Sequence, residues 1–302
     1  MKEHFYSDEY EFISVLIPCI NRWNYLEECV LSIEKFADMP YEIVLHDDRS
    51  NDGTREKILS ELKDKVSCII LNQGLNLGLS ESINRASRCA GSKFQIMMNA
   101  DCRLERPCFK DIVNILKAGQ YIGAVFPANP VYGQPNYLEN NGTRFYLSRG
   151  IGAGWCQAWR KDNFEAIGGW DSYFTTTGNS DVSFMCRMLK NGYFLVNPCY
   201  DPSGGLWITN MSNDRMQTKD SVIGEVPEHI ESAFPKIFRV DDYKRLSQTR
   251  QGTVSERQGE QYRQPAGDIN IDYWNKFGQS LIKDNYSLDI ELAKANGMKE
   301  IK

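Results

Sequence analysis

Three polar clusters of the sequence contain residue types that bind nucleotides and metal ions. Each follows an apolar run, and they contain Asn21, Asp48 and the tripeptide Asn99-Ala100-Asp101. A carboxylate that follows a strand is a natural acceptor for ribose hydroxyls or a base N–H, and carboxylate oxygens are ligands that Mg²⁺ and Mn²⁺ prefer. The residue types and positions therefore suit Asp48 as a nucleotide contact and Asp101 as a metal ligand, with ordinary turns as the alternative.

A fourth polar stretch, residues 168–181, is suited to proton transfer. It runs from Gly168-Gly169-Trp170-Asp171 to Asp181, which stands where a helix is predicted to begin. A carboxylate there acts as a general base if it faces a pocket, whereas an Asp at such a position also commonly caps its own helix. Both interpretations stay open for Asp181 at this point.

The elements that must position these residues alternate between short apolar runs and segments with the apolar period of a helix. This alternation is typical of βαβ units and predicts a mostly parallel sheet flanked by helices. Five strands are predicted, at residues 12–18, 42–47, 66–71, 93–98 and 121–126. Ligands of such sheets bind beyond the carboxyl ends of the strands, so the clusters are expected to meet at one edge.

The region from about 128 to 207 is irregular and rich in Gly, Asn and aromatic residues. Its clearest helical pattern follows Asp181 and ends at Asn191-Gly192, a suitable C-terminal signal. Trp155 and Trp170 are candidates for stacking on a flat acceptor such as a sugar ring, although aromatic residues at this density also commonly form a core. Gly154 would let the backbone approach a ligand closely.

The last part of the chain has a different composition. Residues 247–268 include only Val254, Tyr262 and Ala266 as hydrophobic residues, which predicts a mobile loop, a lid or a linker. Two helices are predicted to follow, at about 274–282 and 288–295.

Composition disfavours several classes of protein. The 302 residues include 35 Lys+Arg and 40 Asp+Glu, and the net charge of −5 argues against a generic binder of nucleic acids or anionic membranes. The apolar stretch at 12–20 is far shorter than the ~20 residues of a membrane-spanning helix, and no signal peptide is recognised before it. Nine scattered cysteines without a C-x-x-C pair predict reduced thiols in a cytoplasmic protein. Dinucleotide oxidoreductases and P-loop phosphotransferases are disfavoured because neither glycine-rich phosphate-binding motif is present.

Taken in order, the clusters resemble the family 2 glycosyltransferases, which use nucleotide-sugars and have the GT-A fold. The resemblance runs from about Phe12 to Asn197 and rests on the segments SVLIPCIN, HDDRSNDGT, NAD and GGWDSYF…GNSDVSF…LKNGY. HDDRSNDGT is similar to the family's D-D-x-S-x-D-G-T loop, and NAD is similar to the N-x-D form of its D-x-D motif. The last segment is similar to the family's G-G-F-D…E-D-x-D-L…R-x-G-Y block.

The resemblance implies a role for each matching residue. Asp48 would contact the uracil or ribose of the donor, Asp101 would bind Mn²⁺ or Mg²⁺, and Asp181 would be the catalytic base. The nucleotide would be bound by Pro18, Ile20, Asn21, Asp48, Asn76, Gly78, Asn84 and Asn99, and the acceptor by Gly154, Trp155 and Trp170.

The implied activity is an inverting transfer of a hexosyl or pentosyl group from a nucleotide-sugar to an acceptor hydroxyl. The expected donor is a UDP-sugar, and the expected acceptor is a saccharide or glycoconjugate. Residues 1–127 would bind the donor, residues 128–210 would complete the same GT-A domain with the acceptor and catalytic residues, and residues 211–302 would form an extension with helices and the polar loop.

Departures from the family pattern leave alternatives. Ser180 and Ser183 replace acidic residues of the last segment, Cys102 follows the metal-binding Asp, and no His occurs at 197–202. A catalytically silent nucleotide- or glycan-binding module is therefore one alternative. Transfer to a hydroxylated base of modified DNA is another, because residues 236–263 carry seven positive and four negative side chains. A nucleotidyltransferase is disfavoured, since the sequence has no Gly-rich activating loop with a basic residue near its start.

Overall fold

The computed structural model describes residues 11–74, 76–128, 137–148, 154–171, 180–199, 207–211, 294–295 and 298–301. Within these residues the chain forms one sheet of ten strands, a second sheet of two strands, and helices on both faces of the large sheet. The strands of the large sheet are β1 (Ile13–Cys19), β2 (Tyr41–Asp47), β3 (Cys68–Leu71), β4 (Phe94–Met98), β6 (Ile122–Val125), β7 (Tyr137–Asn140), β8 (Thr143–Leu147), β9 (Cys156–Arg160), β10 (Phe194–Pro198) and β12 (Lys299–Ile301). The small sheet pairs β5 (Cys102–Leu104) with β11 (Ile208–Asn210).

All five predicted strands are present, and four of them form the parallel part of the large sheet in the order β3-β2-β1-β4. The fifth, β6, is separated from β4 by β9, which pairs antiparallel with both. Beyond β6 the order continues β10-β8-β7-β12, and only the β6–β10 pair is parallel there. The α/β architecture is confirmed, with a sheet of mixed strand directions.

Six α-helices are described: α1 (Trp23–Phe36), α2 (Thr54–Lys57), α3 (Gly78–Cys89), α4 (Phe109–Lys117), α5 (Lys161–Ala166) and α6 (Ser180–Lys190). A π-helical turn over Ile58–Leu62 directly follows α2. Helix α6 ends where the sequence predicts, and Gly192 just beyond it has a φ of 80° that glycine adopts without steric cost.

Alternating side chains of the central strands fill two cores. On β1, Val15 and Ile17 point to the core under α1 and α4, whereas Leu16 points to the core under α3, α5 and α6. Because both faces are covered, every residue of β1 is buried. A strand of this kind is predicted to be a continuous apolar run, which is the pattern at residues 12–18.

Several predictions lie outside the described residues. These are the polar loop at 247–268, the helix at 274–282 and the basic segment at 236–263; of the helix at 288–295 only Lys294 and Ala295 are described. No helix of the described part is long and apolar enough to cross a membrane. The eight cysteines whose side chains are described are free thiols. The division at 127 and 210 and the cytoplasmic location stay predictions.

Candidate active site

One edge of the large sheet gathers the polar clusters. The neighbours β2, β1 and β4 are parallel and end at this edge, whereas β9 is antiparallel and begins there. Asp48 follows β2, Asn21 follows β1, Asn99 follows β4 and Trp155 precedes β9. Of the other nucleotide candidates, Pro18 is buried near the end of β1, and Ile20 is partly exposed just beyond it.

Three hydrogen bonds join the loop after β1 to the loop after β2. Asn21 N donates to Ser50 Oγ at 2.6 Å, and Asn51 N donates to Asn21 Oδ1 at 2.9 Å. Arg22 N donates to Asp52 Oδ2, also at 2.9 Å. Asn21 and Arg22 have φ values of 60° and 66°, a left-handed conformation that Asn tolerates better than most residues. The Asn21 side chain therefore fixes the relative position of the two loops.

Asp52 is exposed and closes the turn before α2. Its Oδ1 accepts the Thr54 N–H at 3.0 Å. Burial of the carboxyl opposes ionisation, but the hydrogen bonds from Thr54 and from the Arg22 N–H outweigh it and lower the pKa of Asp52 overall. The turn interpretation is sufficient for this residue.

Asp48 lies at the amino terminus of α3. Its carboxylate accepts Asn72 Nδ2 at 2.6 Å, the Leu77 N–H at 3.0 Å on both oxygens, and the Gly78 N–H at 2.8 Å. The amino terminus of a helix leaves backbone N–H groups unpaired and favours a negative charge nearby. The Gly78 N–H is shared, because it also donates to Asn76 Oδ1 at 2.9 Å. With four internal contacts the carboxylate uses about its full acceptor capacity, so it fixes the start of α3 to the end of β2.

Asp47, the residue before it, has a structural partner that the sequence analysis did not identify. Arg55 Nε donates to Asp47 Oδ2 at 2.7 Å, and the Arg55 guanidinium also donates to the Asn72 carbonyl at 2.5 Å. Asp47 is fully buried, so its charge requires such a partner. The pair holds the start of α2 against the ends of β2 and β3.

The turn that contains Asn99 is joined to the segment before β9. Asn99 N donates to the Trp155 carbonyl at 2.9 Å, and Cys102 Sγ contacts the same carbonyl at 3.2 Å. Cys102 N donates back to the Asn99 carbonyl at 2.9 Å and closes the turn. Burial, and then the neighbouring Cys156, raise the pKa of the Cys102 thiol well above its ordinary value, so the thiol stays protonated in the metal-free chain.

Asp101 is held by β11. Asn210 Nδ2 donates to Asp101 Oδ1 at 3.2 Å, and Met211 N donates to the Asp101 carbonyl at 2.7 Å. Only 8% of Asp101 is exposed. No local sequence signal connects Asn210 to Asp101, because their contact depends on the pairing of β11 with β5.

The donor atoms in this turn fit a divalent cation that is shared with a ligand. Asn99 Oδ1 is buried and has no hydrogen-bond partner, and Asp101 supplies a carboxylate two residues later. The described residues contain no cluster of three or more His, Cys, Asp or Glu side chains that would hold a metal by themselves. Mg²⁺ and Mn²⁺ commonly combine one or two carboxylates with substrate phosphates, so the turn suits a cation that binds with a phosphorylated ligand.

Asp181 packs against Gly154. It lies in the first turn of α6, which begins one residue earlier at Ser180. A β-carbon added to Gly154 would lie 2.8 Å from Asp181 Cγ and 2.9 Å from its Cβ, distances that real Cβ atoms do not reach. The Asp181 side chain therefore extends towards the segment before β9, and it remains partly exposed.

The Gly169–Trp170 turn is held by α3 and α6. Asn84 uses both ends of its amide on the Trp170 backbone, with Nδ2 donating to the carbonyl at 2.8 Å and Oδ1 accepting the N–H at 2.9 Å. Arg187, which is 1% exposed, donates to the carbonyls of Ile167 and Gly169. Asn84 thus supports the turn before α6, and Arg187 is a positioning residue that the sequence analysis did not identify.

The ring of Trp170 is part of the core. It is 1% exposed and packs on Phe184, with ring centroids 5.7 Å apart. The core alternative applies to it, because the indole fills the space under α6. Trp155 is different: it is partly exposed and lies beside the Asn99 turn, so it keeps its place among the acceptor-binding candidates.

Comparison with known proteins gives a family match over most of the described region. The family model described as Glycosyl transferase family 2 matches residues 14–185. This range contains all the predicted site residues. No curated protein matches the chain.

Solved structures of glycosyltransferases are similar in fold. GalNAc-T7, solved with UDP, GalNAc and Mn²⁺, is 15% identical over 91% of this chain and 58% of its own, with a TM-score of 0.56. PcManGT, a mannosyltransferase from Pyrobaculum calidifontis in complex with GDP-Man and Mn²⁺, is 20% identical over 62% of this chain and 54% of its own, with a TM-score of 0.47. TarS 1–349 of S. aureus with UDP is 17% identical over 64% and 61% of the two chains, with a TM-score of 0.45.

These similarities concern the fold. The chain spans between 54% and 61% of the length of these three structures. At sequence identities of 15–20%, similarity to a solved structure shows the fold and nothing more. The match to GalNAc-T7 shows that the fold of this chain is GT-A.

Proposed function

The chain belongs to glycosyl transferase family 2, and we propose that it transfers a sugar from a UDP-sugar to the hydroxyl group of a saccharide or glycoconjugate, with inversion at the anomeric carbon. The proposed catalytic base is Asp181, and the proposed metal ligand is Asp101. The nucleotide would bind at the ends of β1, β2 and β4, where the loops are fixed by Asn21 and Asp48.

One structural observation carries this proposal. The two-residue segment Gly154–Trp155 contacts Asp181 through Gly154 and binds the Asn99 N–H through the Trp155 carbonyl. The proposed base and the proposed metal-binding turn therefore flank the same short piece of backbone. An inverting transfer requires such proximity, because the base must act on the acceptor while the leaving group departs from the same sugar carbon.

The chemistry of Asp181 follows from its position. Its carboxylate would accept the proton of the acceptor hydroxyl as the hydroxyl oxygen attacks the anomeric carbon. General base catalysis of this kind typically contributes ~10²- to 10⁴-fold to the rate. The bond to the diphosphate breaks as the new glycosidic bond forms, so negative charge develops on the nucleoside diphosphate.

The Asn99–Asp101 turn would bind the diphosphate end of the donor. When bound there, Mn²⁺ or Mg²⁺ supplies positive charge for the developing negative charge of the leaving group. Asp101 would hold the cation, Asn99 Oδ1 is the neighbouring oxygen without a partner, and Asn210 would keep the Asp101 carboxylate in place.

The test is an assay of nucleoside diphosphate release. The full chain is incubated with Mn²⁺ and each of several UDP-sugars, GDP-mannose as a control donor, and a panel of mono- and oligosaccharide acceptors. We expect UDP release that depends on one UDP-sugar and increases with one class of acceptor, and we expect the product to have the opposite anomeric configuration to the donor.

Other outcomes separate the alternatives. Pyrophosphate release from a nucleoside triphosphate and a sugar phosphate would indicate a nucleotidyltransferase. Binding of UDP without any UDP release would indicate a silent module. Release that requires DNA with hydroxymethylated bases would indicate the nucleic-acid acceptor, which stays a prediction from residues 236–263.

A further inference from the structure

A buried glutamine on β9 has no hydrogen-bond partner at either end of its amide. Gln157 is 0% exposed, and neither Nε2 nor Oε1 is paired. Burying an amide without partners is unfavourable, and native proteins leave few such groups. The two unused hydrogen-bonding atoms of the Gln157 amide are therefore available to a bound ligand.

A second glutamine on the same sheet face shows that this one is unusual. Gln95 on β4 is also 0% exposed, but its Oε1 accepts Trp159 Nε1 at 3.0 Å and Ser87 Oγ at 2.7 Å, and its Nε2 donates to the Ser87 carbonyl at 3.2 Å. The core under α3 and α6 thus pairs both ends of one buried amide. Gln157, two positions from Trp159 along β9, is left unpaired.

Two contacts of α6 with residues on either side of Gln157 place Gln157 near the first turn of this helix. Asp181 packs against Gly154, and Phe184 packs on Trp159 with ring centroids 5.3 Å apart. Asp181 and Phe184 are three residues apart on α6, so they share one side of the helix. The turn of α6 between them therefore lies near residues 154–159, and Gln157 is in that interval, on the same face of β9 as Trp159.

From this position we propose that Gln157 recognises hydroxyl groups of the transferred sugar. The inference rests on the proposed function, since it assigns the sugar subsite of the same reaction. A primary amide offers both a donor and an acceptor, so it can pair with two neighbouring hydroxyls of a sugar ring. A site built to hydrogen-bond a hydroxyl strongly disfavours the analogue that lacks it, because its own polar atoms then stay unpaired. Gln157 would therefore determine which donor sugar is accepted.

The experiment compares the wild type with Gln157→Met, which keeps a side chain of similar size and removes the amide. Affinities are measured for UDP, for the UDP-sugar that supports the fastest UDP release, and for its monodeoxy analogues. We expect UDP to bind Gln157→Met within twofold of the wild type. We expect the wild type to prefer the intact sugar over one deoxy analogue by at least tenfold, and Gln157→Met to show little preference.

Two further variants keep the test decisive. Met97→Leu changes the residue opposite Gln157 on β4 without removing a polar group, and it should keep the wild-type preference. Gln157→Leu also removes the amide and leaves an apolar side chain at this buried position, and it serves if the methionine variant does not fold. It should lose the same preference while still binding UDP.

Each result has a distinct meaning. If Gln157→Met and Gln157→Leu keep the wild-type preference between the intact and deoxy sugars, the inference is wrong and the proposed function stands. If both variants lose affinity for UDP and UDP-sugar equally, Gln157 is a structural residue and the inference is also wrong. If the wild type neither binds UDP nor releases it from any UDP-sugar, the proposed function is wrong, and the inference about Gln157 is wrong with it.

Discussion

The side chain of Asp181 lies directly against the α-carbon of Gly154. A β-carbon at residue 154 would approach Asp181 Cγ to 2.8 Å, so only glycine leaves Asp181 in its present position. The next residue, Trp155, accepts the Asn99 N–H at 2.9 Å. The start of β9 therefore sets the distance between the proposed base on α6 and the proposed metal-binding turn after β4.

Gly154→Ala should displace Asp181 while leaving the nucleotide loops unchanged. We expect the turnover number for UDP release to fall about 100-fold, because a displacement of about 1 Å at a catalytic group has effects of that size. UDP affinity should stay within twofold. Steady-state kinetics at saturating donor and calorimetric titration with UDP provide the two measurements.

A matched glycine controls for the added methyl group. At Gly74 a β-carbon would make only an ordinary contact of 3.6 Å with Asn72 Oδ1, so Gly74→Ala should keep the wild-type turnover. If Gly154→Ala kept the wild-type turnover number, the position of Asp181 would not matter for the reaction, and Asp181 would not be the base.

Asp181→Asn should remove proton acceptance while preserving shape. We expect turnover to fall ~10²- to 10⁴-fold, the usual contribution of a general base, with little change in the affinity for UDP. Asp162→Asn is the matched control, because Asp162 is also in the first turn of a helix, α5, but is exposed to solvent. Turnover of Asp181→Asn at the wild-type rate would exclude this residue as the base.

The sequence predicts the elements that depend on local patterns and misses those that depend on distant pairing. The five apolar runs become strands. Burial on both faces requires continuous apolar residues in a central strand such as β1, whereas the edge strand β3 is only partly buried. β9 was not predicted because Gln157 and Arg160 interrupt its apolar run, and its partners β4 and β6 are distant in sequence. The supporting contacts of Asn84, Arg187 and Asn210 were missed for the same reason.

Asp101→Asn should weaken the dependence of UDP binding on Mn²⁺. The amide keeps the hydrogen-bonding shape but removes the charge that a hard cation prefers, so the Mn²⁺ concentration for half-maximal UDP binding should rise at least tenfold. Asn210→Ala should raise it less, because Asn210 only holds the carboxylate through a 3.2 Å hydrogen bond. The assignment of Asp101 as a metal ligand would be contradicted if the wild type and Asp101→Asn bound UDP equally well at every Mn²⁺ concentration. It would also be contradicted if the wild type kept its activity in the presence of a chelator.

Asn84→Ala separates support of the fold from contact with the nucleotide. It removes both hydrogen bonds to the Trp170 backbone and leaves a buried N–H and C=O unpaired, which should lower the free energy of unfolding by about 1–3 kcal/mol. Urea denaturation measures this change, and Asn114→Ala at an exposed position of α4 should be neutral. A large loss of UDP affinity with unchanged stability would instead indicate a nucleotide contact.

His46 should make the stability of the fold depend on pH. It is fully buried on β2 opposite Pro18, and neither ring nitrogen has a hydrogen-bond partner. Burial is the largest influence on the pKa of His46 and lowers it, and the positive charge of Arg85 lowers it further. The negative charges of Asp48, Asp47 and Glu81 raise the pKa, but the net change is a decrease.

The direction of the pH effect follows from the lowered pKa of His46. The unfolded chain binds a proton near the ordinary His pKa of about 6.5, whereas the folded chain resists protonation until a lower pH. The contribution of neutral His46 to the free energy of unfolding is therefore complete above pH ~6.5. As the pH falls below this value, the free energy of unfolding decreases by at most ~1.4 kcal/mol per pH unit. Urea denaturation of wild type and His46→Leu between pH 5 and 7.5 measures the difference. We expect a clearly shallower slope for His46→Leu in this interval, whereas parallel curves would show that His46 does not cause the acid sensitivity.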